Sequence, residues 1–210
     1  IPVELLDNFK LPQAPLSGQL RFTARGAGEF ARPSYTFHPT IEDLFAGDQG
    51  IGLMDAELRV EGRTLLIEKL VANSGLLDVS GFGAIALNDR YDSTLRVRFT
   101  QSSIDPYLKI LAPSLSPYAR AIMSGAVDVV GPLTVPADLR MSATIDDATL
   151  TLLDYDLKND GQVQLTYENQ GFRVGQLRLR GADTSLALTG SGDVRQRTWD
   201  LSARGDASLS

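Results

Sequence analysis

The chain has 210 residues, 43% hydrophobic and 22% charged, with a formal net charge of −6 and no cysteine. That composition excludes wholesale disorder, and the missing thiols exclude disulfides and cysteine metal sites. Lys and Arg are scattered among a surplus of Asp and Glu, which excludes nucleic acid as a partner, and the apolar runs fall far short of the roughly 20 residues of a membrane-spanning helix.

The chain opens Ile1-Pro2-Val3-Glu4 with no signal-peptide pattern and stops inside an alternating run, Trp199-Asp200-Leu201-Ser202-Ala203. The expectation is a segment of a longer protein. From Leu20 onward the dominant signal is period two, the mark of strands with one apolar and one wet face. Leu20, Phe22 and Ala24 alternate with polar residues, then Leu58 and Val60, then Leu77 and Val79, then Leu95, Val97 and Phe99. Ile41-Glu42-Asp43-Leu44-Phe45, between Pro39 and Gly47, reads as a helical turn. A longer helical segment is predicted over about 104–123, with Asp105 as cap and Pro113 and Pro117 splitting it.

Beyond it, Leu139, Met141, Ala143 and Ile145 alternate again, followed by Val163, Leu165 and Tyr167, by Leu186 and Leu188, and by Trp199, Leu201 and Ala203. Asn88-Asp89, Gly131-Pro132, Asn159-Asp160-Gly161 and Asn169-Gln170-Gly171 are turn signals. The parity change from Phe172 and Val174 to Leu177 and Leu179 predicts a bulge at Gly175. Two signatures recur at nearly one spacing. Leu16-Ser17-Gly18 returns as Met123-Ser124-Gly125, and Val79-Ser80-Gly81-Phe82-Gly83 returns as Leu188-Thr189-Gly190-Ser191-Gly192. This divides the chain into a first β-module, 1–123, and a similar second one, 124–210, that continues the sheet.

The fold class is therefore mainly β, antiparallel, with far more apolar strand faces than helix to cover them. A curled sheet shaped as a taco-like groove or half-barrel, a β-sandwich, and a closed barrel each solve that problem. The scarcity of aromatics, at 7%, and a pattern running to both ends favour the curled sheet. The groove-lining candidates are Leu58, Val60, Leu77, Val79, Leu95, Val97, Phe99, Leu139, Met141, Leu165, Leu186 and Leu188.

The order of glycine-opened strand, turn, alternating strand, hairpin and S/T-G-x-G strand resembles TamB/AsmA-like envelope proteins. It is carried by Asn159-Asp160-Gly161-Gln162-Val163, Phe172-Arg173-Val174 and Leu186 to Val194 in one copy, and by Leu65-Leu66-Ile67 and Leu77 to Gly83 in the other. The resemblance covers roughly residues 16–210. It implies a periplasmic protein, anchored in the inner membrane by a segment not present here, whose curled sheet shields phospholipid acyl chains in transport to the outer membrane. It also implies adjoining β-modules of the same chain and outer-membrane assembly proteins as partners. An extracellular β-sandwich for adhesion or glycan binding is the alternative.

Catalytic and metal motifs find little support. His38 is the single histidine, read as a surface strand-end residue, and no G-x-S-x-G elbow or phosphate-binding glycine loop is present. Asp154 to Gly161 superficially matches a calcium loop, but Lys158 occupies a ligand position and no glutamate closes it, so a strand end and hairpin turn is expected. Asp146 and Asp147 point to opposite faces of a strand, unsuited to joint acid–base work. Arg204-Gly205-Asp206 is an adhesion tripeptide of a length that recurs by chance. No catalytic residue, cofactor or metal is expected.

Overall fold

The computed structural model describes residues 16–29, 32–46, 49–105, 119–152 and 155–207. Among them a single 13-stranded antiparallel sheet is formed by β1 (Leu16–Glu29), β2 (Arg32–Ala46), β3 (Gln49–Glu61), β4 (Thr64–Asn73), β5 (Asp78–Ala86), β6 (Asp92–Ser103), β7 (Ala119–Pro132), β8 (Arg140–Leu152), β9 (Tyr155–Asn159), β10 (Val163–Glu168), β11 (Gly171–Arg180), β12 (Thr184–Asp193) and β13 (Thr198–Ala207). Spatial order follows chain order, as expected of short antiparallel connections. The Asn169-Gln170 connection, with both φ values positive (53° and 61°), is the tight hairpin that its sequence predicts.

The sheet is open. β1 and β13 are its two edges and do not pair, which overturns the closed-barrel alternative, and every described strand belongs to the one sheet, which overturns the sandwich. Buried hydrophobic clusters are correspondingly small: Ile41 with Leu44, and Ile145 with Ala148 and Val163. The architecture is a curled groove or half-barrel.

Bulges supply the curvature. β2, β4, β6, β8 and β11 each carry one extra residue against a neighbour, at Ile41–Leu44, Ile67–Leu70, Phe99–Ser102, Ile145–Asp147 and Val174–Leu177. Each site has the local pattern apolar, polar or glycine, polar, then a return to the original face. The extra residue keeps the flanking apolar positions on one side where simple alternation would flip them. The predicted bulge at Gly175 is thus present. The helical turn predicted at 41–45 is corrected: it is another such bulge, with Asp43 left-handed at φ 49°. Of the predicted helical segment 104–123, residues 106–118 lie outside the described residues. Its end is corrected, since Ala119–Met123 open β7 and pair with β8. The module division at 123/124 falls inside β7.

Asn159-Asp160-Gly161 is corrected as well. β9 and β10 do not pair with each other; both lie between β8 and β11, as one strand interrupted at 160–162. Asn159 repairs the gap. Its Oδ1 accepts the Ala148 N–H at 2.7 Å, and its Nδ2 donates to the Asp146 carbonyl at 3.0 Å and the Gly161 carbonyl at 2.9 Å. Asn159→Ala leaves those backbone groups without partners and is expected to cost about 1–3 kcal/mol in chemical denaturation. A loss within experimental error would show that water replaces the side chain.

With β9 and β10 counted as one interrupted strand, β1–β6 and β7–β13 correspond strand for strand. Gly18 in β1 and Gly125 in β7 each face a bulge in the next strand, and the S/T-G-x-G motifs fall in β5 and β12.

Candidate functional site

Residues paired across an antiparallel ladder share a face, so the register defines the two sides of the sheet. One unbroken row runs Ala24, Phe37, Leu58, Ile67, Gly83, Leu95, Val129, Met141, Tyr167, Phe172, Gly192, Trp199. The next row on the same face runs Ala56, Leu70, Gly81, Val97, Val127, Ala143, Leu165, Val174, Gly190, Leu201. Among the described residues these rows contain no charged side chain. The opposite face carries Arg59, Arg96, Asp128, Arg173 and Asp200.

The two faces differ in shelter as well as chemistry. Along β6, Leu95, Val97 and Phe99 are half-buried whereas Thr94, Arg96, Arg98 and Thr100 are exposed. No second layer covers the apolar side among the described residues, so this shelter comes from neighbouring side chains drawn together by the curl. The S/T-G-x-G glycines lie on the apolar side and serve close packing. A Cβ at Gly192 would collide with the Phe172 ring, and one at Gly190 with the Leu201 side chain. These notches let the larger side chains of adjacent strands lie over the backbone.

Ten of the groove-lining candidates lie in strands on this face: Leu58, Val60, Val79, Leu95, Val97, Phe99, Met141, Leu165, Leu186 and Leu188. Two sit outside strands. Leu77 is buried in the β4–β5 turn, its N–H bonded to Ser74 Oγ at 3.0 Å, and Leu139 follows the short 3-10 turn Pro136–Asp138. Sequence reading left out of the lining Leu65, Ile67 and Leu70, because the bulge at Glu68-Lys69 hides their common face.

The wet face holds a shallow depression of about 520 Å³ where Leu66 and Phe82 flank Arg96 and Asp128. Those two make a bidentate pair, Nε to Oδ1 at 2.6 Å and Nη2 to Oδ2 at 2.9 Å. Hydrogen bonding from Arg96 holds the Asp128 carboxyl below the usual carboxylate range, and Asp128 in turn raises Arg96. Both groups are solvent-exposed, so the pair orders this surface more than it stabilises the fold. His38 is exposed in the middle of β2, not at a strand end. Asp146 lies in the β8 bulge, where it accepts a hydrogen bond from Gln162 at 2.6 Å, and Asp160 pairs with Arg180 at 2.9 Å. Compared with protein-family models, with curated proteins and with solved structures, the chain matches none.

Proposed function

We propose that the chain is a non-catalytic lipid conduit, a segment that shelters phospholipid acyl chains against the apolar side of its curled sheet between the inner and outer membranes, in the manner of TamB/AsmA-like envelope proteins. The observation that carries this reading is the apolar face itself, continuous from β1 to β13, free of charge and without a protein layer over it among the described residues. Apolar surface left in water is unfavourable by roughly 25 cal/mol per Å², and a patch of that extent marks a binding surface. Acyl chains match it because they need no hydrogen bonds and can slide along a face whose rows repeat from strand to strand. Movement then needs only partitioning, with no bond made or broken.

Native mass spectrometry of the purified chain, with organic extraction and lipid analysis, tests the proposal. Phospholipid adducts released by extraction are expected. A lipid-free protein whose apolar positions also resist photo-crosslinking to acyl probes would remove the conduit reading and leave a protein partner as the cover of that face.

A further inference from the structure

The two ends of the strands differ in three independent ways. The first is burial. The buried hydrophobic residues, such as Ile41, Ala72, Ile145, Leu157, Val163 and Leu179, lie in the half of the sheet near the 74–77 and 181–183 connections. The rows near the opposite connections, 62–63, 169–170 and 194–197, contain none, and there Tyr35 is 44% and Trp199 77% exposed. The rim with the buried side chains is the closed one, although Phe45, Leu53, Leu76 and Ile122 are exposed there, and the other is the open one.

The second difference is aromatic chemistry. Tyr35, Tyr91, Tyr167 and Trp199 lie at the open rim, whereas Tyr155 at the start of β9, Phe45 and Phe99 lie towards the closed one. Tyrosine and tryptophan favour the boundary between hydrocarbon and water because the ring is apolar and one end is polar. The third is charge. The closed rim carries Asp78, Asp105, Asp147, Asp156 and Asp183 against the fewer bases Arg120, Lys158 and Arg180, while Arg63, Arg90, Arg195 and Arg197 offset the acids of the open one.

We infer that amphiphiles lie across the groove in one orientation, phosphate headgroup at the open aromatic rim and acyl tail running along the strands towards the closed acidic rim. This rests on the conduit reading and adds polarity to it. Carboxylates repel an anionic phosphate at one end, and arginine and amphipathic rings accept it at the other. The dimensions agree: β6 from Ser93 to Phe99 spans about 20 Å at about 3.3 Å per residue, and one leaflet's hydrocarbon is about 15 Å deep.

Trp199, the single tryptophan, makes the test direct in the native protein. Its fluorescence is measured after loading with phosphatidylglycerol brominated either near the glycerol or near the chain terminus. Quenching is expected to be roughly twofold stronger for the glycerol-proximal bromine, the depth at which interfacial rings sit. In Leu186→Trp carrying Trp199→Phe, the order should reverse, because Leu186 lies at the far end of β12. Equal or inverted quenching at Trp199, with lipid bound by mass spectrometry, overturns the orientation while leaving the conduit intact. Absence of bound lipid overturns both.

Discussion

Aspartate at Leu95 is expected to strip lipid from the protein while the sheet stays folded. Leu95 sits at mid-sheet on β6, paired with Gly83 on one side and Val129 on the other, half-buried and without a protein layer above it. In the lipid-free state the new carboxylate turns to water, so the folding cost is limited to lost contacts with its neighbours, about 1–3 kcal/mol. Under hydrocarbon the same charge has no partner, and burying it costs several kcal/mol, enough to lower occupancy by orders of magnitude. Leu188→Arg repeats the test in the second half of the chain, where Leu188 lies between Leu177 and Ala203. Lipid per protein by extraction, read beside thermal denaturation, separates the effects. A folded Leu95→Asp protein that keeps its full lipid complement would place the acyl chains elsewhere.

Valine at Gly125 should produce the largest loss of stability. Gly125 is in β7, opposite the β8 bulge and in register with Phe99 of β6. A Cβ there would collide with the Thr144 carbonyl oxygen and stand 2.9 Å from Phe99 Cζ and 3.0 Å from Ile145 Cα. Two of those three neighbours are backbone, which cannot move without opening the ladder, so the cost should exceed the usual overpacking range of about 1–3 kcal/mol. Gly75→Ala is the control. Its Cβ meets nothing within 4 Å, and the change should stay within about 0.5 kcal/mol. Urea denaturation of the two variants decides; similar midpoints would mean that β7 and β8 can separate locally without loss.

Both effects trace to features that the sequence exposes unequally. Alternation at Leu95, Val97 and Phe99, or at Met141, Ala143 and Ile145, is a local property of a strand with one wet face, and it fixed strand identity and membership of the apolar side before any fold was known. The Gly18/Gly125 and Gly81/Gly190 recurrences were equally legible. Bulges were not, because an apolar residue, two polar ones and another apolar residue fit a turn of helix as well as a strand with one extra residue. Val174-Gly175-Gln176-Leu177 contains a glycine and so predicts a bulge; Ile41-Glu42-Asp43-Leu44 contains none and predicts a helical turn. Asn159-Asp160-Gly161 carries hairpin chemistry, yet the chain continues forward through it, since the N-terminal half of β8 still needs a partner that β10 supplies.

Phe82 shows the same limit on a single residue. Between Gly81 and Gly83 it is the side chain that local reasoning would send inward, but the register places both glycines on the apolar side and leaves Phe82 56% exposed on the wet one. The amino-acid sequence alone determined most of the strands and their two chemically distinct faces, because both are written in neighbours a few positions apart. Tertiary structure decided that all the strands join in one open sheet, that its apolar side lacks a second protein layer among the described residues, and that its two rims differ. Those properties depend on which distant strands pair and at what offset, and a bulge of one residue is enough to change the answer.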